Sequence, residues 1–223
     1  MRSRLVRPAV YLLVVALSLT VAATAFAGKP GPGPTPTPAA RIVCVDAGHG
    51  GTDPGAVYSG LQEKDLTLDI AYRLRDLLVG AGYKVVMTRA GDQGLGNSER
   101  ADLCNAGGAD TVISIHLNAS SDPDVDYFKA FYGKQNKDQA FTQTIWQNYN
   151  LSKPNSTLPL TKSSTTQFAS GLLLKATAPA CLAETVFLSN PAEAALLGDG
   201  SGTRQQQIAQ NLFNGLAAWY AGR

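Results

Sequence analysis

Short apolar runs that fit buried strands alternate along this chain with segments in which apolar residues recur at helical spacing. The strand-like runs lie at 42–45, 84–88, 111–117, 127–132, 172–174 and 181–187. Helical spacing is clearest at 66–78 and 208–220. Because strands separated by helices form layered sheets, the alternation predicts an α/β domain with a largely parallel sheet.

The first 27 residues have the pattern of a secretory signal peptide. Three arginines precede an apolar stretch at 8–24, and the sequence AFA at 25–27 supplies a small-x-small cleavage site. An uncleaved membrane anchor is the alternative, because residues 8–27 could nearly span a bilayer. Residues 28–40 are rich in Pro, Gly and Thr and predict an extended linker. We therefore expect one folded domain at 41–223, outside the cytoplasm.

The charge of the rest of the chain argues against nucleic-acid binding. The 223 residues hold 19 Lys and Arg against 17 Asp and Glu, and three of the basic residues are Arg2, Arg4 and Arg7; subtracting these three leaves 16 basic residues. Nucleic-acid-binding proteins need a concentrated basic face. At 44% hydrophobic residues the chain is also too apolar for wholesale disorder. A folded domain without a nucleic-acid partner is the expectation.

Three cysteines stand at Cys44, Cys104 and Cys181. Export permits a disulfide, and an odd number leaves at least one thiol unpaired within the chain. None has C-x-x-C spacing, so a cysteine zinc site is not expected. The sequence does not select the pair, and Cys44 and Cys181, both in predicted strands, could equally be buried hydrophobic residues.

The two histidines, His49 and His116, each stand where a predicted strand ends. The carboxyl ends of parallel strands meet at one edge of the sheet, so the two imidazoles are expected close together. Glu63, just before the first predicted helix, opens on the same edge. Two imidazoles and one carboxylate form the ligand set of a catalytic zinc with one open position. The alternatives are hydrogen-bonded structural histidines, a glutamate that complements the helix dipole, and non-haem iron as the metal.

Glu184 is the candidate general base. It lies within the apolar run 181–187, where an ionised carboxylate is costly unless it has a partner. A metal-activated water would be such a partner, and hydrolysis needs a base beside it. The alternative is an ion pair with Arg89 or Arg100. The chain holds neither a G-x-S-x-G elbow nor a P-loop, so those chemistries are not expected.

Four motifs, taken in order, resemble the zinc-dependent N-acetylmuramoyl-L-alanine amidases of the Amidase_3 type. They are VDAGHGGTDPGA at 45–56, EKD at 63–65, SIHLNA at 114–119 and ETVFLSN at 184–190. The resemblance covers nearly the whole predicted domain. It implies a single domain at 41–223 with an about six-stranded, mostly parallel sheet and helices on both faces.

The resemblance also implies an activity and residue roles. The reaction would be hydrolysis of the amide between N-acetylmuramic acid and L-alanine in peptidoglycan, by a secreted enzyme of the cell wall or periplasm. His49, Glu63 and His116 match the Zn²⁺ ligands, and Glu184 matches the catalytic glutamate. Asn118 matches a residue near the metal that contacts its ligands or the substrate. Nothing in the sequence requires more than a monomer.

Two alternative functions use the same fold. A non-catalytic peptidoglycan-binding protein would have lost a ligand or the glutamate, and all four residues are present. A zinc peptidase acting on another cell-wall amide would keep all four, because the metal chemistry does not define the substrate. Only the substrate-binding groove distinguishes a zinc peptidase from an amidase.

Overall fold

The computed structural model describes residues 41–223; the predicted signal peptide and linker lie outside the described residues. The strands are β1 (Ile42–Ala47), β2 (Val57–Tyr58), β3 (Leu61–Gln62), β4 (Lys84–Met87), β5 (Thr111–Asn118), β6 (Lys129–Tyr132), β7 (Thr166–Gln167) and β8 (Ala180–Phe187). The helices are α1 (Glu63–Gly80), α2 (Asn97–Ala106), α3 (Gln135–Asn148), α4 (Gly171–Lys175), α5 (Pro191–Leu197) and α6 (Thr203–Ala221). Within this range, no helix combines the length and apolar character needed to cross a membrane.

Six of the strands form one sheet, in the order β4-β1-β5-β8-β6-β7, while β2 and β3 make a small separate hairpin. Strands β4, β1, β5 and β8 are mutually parallel, and β6 runs antiparallel to β8. The predicted single α/β domain with an about six-stranded, mostly parallel sheet is therefore confirmed. The carboxyl ends of β1, β5 and β8 lie together at one edge.

Helices cover both faces of the sheet, as predicted. On one face, Val43 and Val45 of β1 pack with the apolar sides of α1, α3 and α6 in the larger core. On the other face, Cys44 packs with residues of α2 and α4 in a smaller core. Successive residues of a strand point to opposite faces. A continuous apolar run such as that of β1 therefore serves both cores at once.

The prediction of a strand at 172–174 is wrong. These three leucines lie in α4, where Leu172 and Leu173 are buried against α2. A three-residue apolar run fits a buried helix turn as well as a strand, so periodicity alone could not decide. The sixth strand of the sheet is instead β7, a two-residue segment outside every predicted strand. The strand predicted at 127–132 begins later, at Lys129.

The structure selects one of the possible cysteine pairs. Cys44 of β1 and Cys104 of α2 form a disulfide across the smaller core. Cys181 of β8 is a free, buried thiol in the larger core. Of the two cysteines in strands, only Cys181 is therefore a simple buried residue.

Candidate metal centre

The loop after β1 carries His49 in a left-handed backbone conformation, with φ of 61°. A hydrogen bond to Asp53 fixes the orientation of the His49 ring, because Nδ1 lies 2.8 Å from Oδ2 of Asp53. This hydrogen bond leaves Nε2 facing the carboxylate of Glu63, 3.0 Å from Oε1. Partners of this kind on the outer ring nitrogen orient metal-ligating histidines. Asp53 was not assigned a role from the sequence, although it follows His49 by four residues in the same motif.

Glu63 is the first residue of α1 and is almost fully buried. Its Oε1 accepts a hydrogen bond of 2.8 Å from the backbone N–H of Leu117, and its Oε2 accepts one of 2.8 Å from that of Ala56. Both oxygens are thus fixed by backbone donors while Oε1 still faces the two imidazoles. Such anchoring holds a ligand carboxylate in one orientation.

His116 completes the cluster from the end of β5. Its Nδ1 lies 3.1 Å from Nε2 of His49 and 3.1 Å from Oε1 of Glu63. One donor atom from each of the three residues lies within 4.8 Å of the others, a spacing that a single metal ion can bridge. The three residues that the sequence singled out as ligands are therefore brought together.

Burial and neighbouring charges shift the pKa values of His49 and Glu63. Burial acts to lower the pKa of His49, but the hydrogen bonds and charges of Glu63 and Asp53 outweigh it and raise that pKa to about 9. Burial acts to raise the pKa of Glu63, but the hydrogen bonds from His116 and His49 lower it to about 2. Glu63 is thus an anion over the whole physiological pH range, as a metal ligand must be.

Glu184 lies beside the cluster on β8, as the direct cross-strand partner of His116. Its Oε2 is buried and has no hydrogen-bond partner within residues 41–223. Burial raises the pKa of this carboxyl group above its usual value. A buried, unpartnered carboxylate oxygen next to a donor cluster fits a site completed by a cation and by water. The donor set therefore fits a metal such as zinc.

The alternative ion pairs of Glu184 with Arg89 or Arg100 do not form. Arg100 instead pairs with the buried Asp46 at 2.9 Å and donates a bond of 2.6 Å to the carbonyl of His49. Arg89 donates bonds of 2.9 Å and 3.0 Å to the carbonyls of Ala47 and Gly48. The two guanidinium groups therefore hold the backbone of the His49 loop.

Two glycines leave the space that the donor side chains of the cluster occupy. A Cβ atom on Gly48 would lie 2.5 Å from Nε2 of His116. Gly55 has φ of 64°, and a Cβ there would lie 2.5 Å from Oε2 of Glu63. Any larger residue at either position would displace a donor side chain.

The cluster lies in an open cleft of about 540 Å³ at the carboxyl edge of the sheet. The cleft is lined by the donor cluster, Glu184, Asn118 and the half-exposed Phe168. Oδ1 of Asn118 accepts a 2.8 Å bond from the N–H of Ala119, and the side-chain amide of Asn118 donates no hydrogen bond to residues 41–223. This fold and site define a hydrolase-like α/β domain with a candidate metal centre.

Comparison with known proteins identifies the family to which the chain belongs. The family model of the Amidase_3 N-acetylmuramoyl-L-alanine amidases matches residues 43–218. The germination-specific N-acetylmuramoyl-L-alanine amidase of Bacillus subtilis is 32% identical over 197 residues, which cover 82% of this chain and 81% of that protein. The chain belongs to the Amidase_3 family, so the resemblance drawn from the four motifs is confirmed.

Solved structures agree with this family. The N-acetylmuramoyl-L-alanine amidase of Clostridium difficile 630 superposes with a TM-score of 0.74 at 28% identity, covering 82% of this chain and 98% of that one. The catalytic domain of CwlV from Bacillus (Paenibacillus) polymyxa var. colistinus gives 0.72 at 27% identity, covering 82% and 99%. The described domain therefore matches whole amidase catalytic domains.

Proposed function

We propose that this chain hydrolyses the amide bond between N-acetylmuramic acid and L-alanine in peptidoglycan, with zinc as its metal. The observation that carries the proposal is the buried Oε2 of Glu184, which has no partner beside a His–Glu–His donor cluster. Amide hydrolysis needs a group at that place to move protons. Membership of the amidase family supports the choice of substrate.

His49, Glu63 and His116 would hold the zinc ion. When bound, zinc supplies a Lewis acid that polarises the scissile carbonyl and lowers the pKa of water. Asp53 orients the His49 ring from its Nδ1 side, and two backbone N–H groups fix the Glu63 carboxylate. The ligands are thus preorganised before any ion arrives.

Glu184 moves the proton. Its carboxylate accepts a proton from the attacking water while the new C–O bond forms on the lactyl carbonyl. It then gives that proton to the nitrogen of L-alanine as the C–N bond breaks, releasing a lactyl carboxylate and a free peptide amine. The raised pKa of the buried group favours its protonated form and suits this return step. Asn118 lies in the same cleft with free donors, and we assign it to substrate contact.

We further propose that this catalytic domain, residues 41–223, works outside the cytoplasm as a monomer. Residues 1–27 would direct export, and residues 28–40 would link the domain to any uncleaved anchor. The Cys44–Cys104 disulfide supports this location, because such bonds persist in oxidising compartments. The intact mass of the protein recovered from the medium or the cell envelope tests it: cleavage after Ala27 leaves a chain that starts at Gly28.

The activity is tested by digesting purified peptidoglycan and identifying the released ends by mass spectrometry. Glu184→Gln should retain zinc and lose turnover by about 10²–10⁴-fold. Glu99→Gln, an exposed helix-cap residue, is the matched control and should retain turnover. Normal turnover by Glu184→Gln would remove the assigned role. Cleavage only at peptide crosslinks would instead favour a zinc peptidase. Binding of peptidoglycan without cleavage would favour a non-catalytic binding protein.

A further inference from the structure

Lys129 is a cation beside the candidate site that forms no ion pair within residues 41–223, although its charge acts to lower the pKa of Glu184 against the larger, opposite effect of burial. It is the first residue of β6, and its cross-strand partner is Glu184. Directly opposed residues on antiparallel strands have Cβ atoms about 5 Å apart on one face of the sheet. Within residues 41–223, no carboxylate lies within 4.0 Å of the Lys129 ammonium.

Two aromatic rings connect the Lys129 ammonium to the lining of the cleft. Nζ of Lys129 lies 5.0 Å from the centroid of the Phe131 ring. The Phe131 ring packs in turn against Phe168, at a centroid distance of 5.3 Å. Phe168 lines the cleft and is 49% exposed. An aromatic face attracts a cation without cancelling its charge, so the ammonium stays available to an external anion.

The other cations near the site are already engaged. Arg100 is paired with the buried Asp46, and Arg89 donates to backbone carbonyls. Lys64 is paired with Asp92 at 2.8 Å. Lys129 therefore differs from these basic neighbours in having a head group with no ion pair or hydrogen bond to residues 41–223, and it lies opposite the residue that is assigned the proton transfer.

We propose that Lys129 binds a free carboxylate of the stem peptide and makes the enzyme prefer substrates in which that group is not amidated. This inference rests on the proposed function, since the peptide attached to L-alanine is the part of the substrate that carries carboxylates. An ammonium is a compact charge that suits a single carboxylate. A carboxamide at the same place would leave the lysine without its counter-charge and bind more weakly.

Two synthetic muramoyl peptides test the role. They differ only at the residue after L-alanine, which is D-isoglutamate in one and D-isoglutamine in the other. The zinc-loaded enzyme should show a lower KM for the carboxylate form. Lys129→Met should raise that KM about tenfold and should remove the preference between the two substrates. Because the charge of Lys129 also acts to lower the pKa of Glu184, any change in kcat should be the same for both substrates.

Matched variants separate charge recognition from structural damage. Lys129→Arg should keep the preference, because it keeps the charge. Lys84→Met removes an exposed lysine from β4, at the other side of the sheet, and should keep both KM values. If Lys129→Met raises KM equally for both substrates or lowers only kcat, the role of Lys129 is wrong while the amidase function stands. If the unmodified enzyme cleaves neither substrate, the proposed function fails, and this role with it.

Discussion

Arg100 donates a hydrogen bond to the backbone carbonyl of His49 and at the same time pairs with the buried Asp46. Asp46 also accepts 2.6 Å bonds from Thr88 and Ser114, so both of its carboxylate oxygens are hydrogen-bonded. The loop that carries a candidate metal ligand is therefore tied to a buried ionic network between β1 and α2. Removing the arginine would leave a charge buried without compensation.

We expect Arg100→Met to lower the free energy of unfolding by about 3–5 kcal/mol, the usual cost of breaking one side of a buried pair. Urea unfolding with zinc and with a chelator measures it. Arg75→Met, which removes an exposed pair with Asp76, is the control and should change stability by less than about 0.5 kcal/mol. Equal effects of the two substitutions would contradict a structural role for the buried network.

Gly48→Ala should lose metal binding, because the added Cβ would collide with the His116 ring. Zinc content after gel filtration and calorimetric titration measure the loss. Gly80→Ala is the matched control, because no atom lies within 4 Å of a Cβ at the end of α1. The control should bind zinc normally and be stabilised slightly, by up to about 1 kcal/mol. Full zinc occupancy in Gly48→Ala would show that the cleft is wider than described.

The metal-free protein should have a distinctive pH profile. The His49 pKa of about 9 lies above its ordinary value of 6.5, so this group stabilises the fold fully below pH 6.5 and loses that effect as the pH rises through 9. Glu63, with its pKa lowered from 4.5 to about 2, stabilises above pH 4.5 and loses that effect as the pH falls through 2. Stability from these groups is therefore greatest between pH 4.5 and 6.5.

Zinc must displace the proton of His49, so its apparent affinity should rise about tenfold per pH unit between pH 6.5 and 9. Calorimetry in buffers of different ionisation enthalpy counts the released proton, and NMR of the imidazole follows His49 in the chelated protein. A His49 pKa near 6.5 in the chelated protein would contradict the coupling to Glu63.

The Cys44–Cys104 disulfide closes a loop with a sequence separation of 60 residues. In the chain-entropy account, a loop of this length stabilises the fold by about 4 kcal/mol. The double variant Cys44→Ala/Cys104→Ala should lose about that much in urea unfolding, and dithiothreitol should have a comparable effect on the unmodified protein but none on the variant. Cys181→Ala should keep the response to dithiothreitol, and loss of that response would point to a bridge that involves Cys181.

Cys181 should be chemically silent in the native protein. Burial raises the pKa of its thiol to about 12, and the thiolate is the form that reacts. Ellman's reagent at pH 8 should therefore find no thiol before unfolding, one per chain after unfolding without reductant, and three after reduction. Rapid native labelling would show that β8 opens readily.

The candidate metal ligands could be predicted because they depend on a local rule. His49 and His116 each end a strand of a parallel sheet, and parallel strands end at the same edge. The neighbourhood of Lys129 could not be predicted in this way. It depends on β6 entering the sheet antiparallel to β8, and a pairing between distant strands leaves no periodic mark on the sequence.

The disulfide pairing and the structure of residues 172–174 could not be predicted, for different reasons. The pairing of Cys44 with Cys104 rather than Cys181 requires the position of α2 over the smaller core, which cysteine spacing does not contain. The assignment of 172–174 as a strand failed because so short a run has no measurable period. The position of Glu184 opposite His116 agrees with the pattern of an acid within an apolar strand, while its catalytic role remains a prediction.

The order of the site residues along the chain has a consequence for synthesis. His49, Glu63 and His116 all precede residue 119, whereas Glu184 lies on β8, the last of the six strands to be made. A nascent chain that ended before β8 would contain every proposed zinc donor and still lack its proton-transfer group. Of the four proposed site residues, the proton-transfer group is therefore the last to be synthesised, 68 residues after His116.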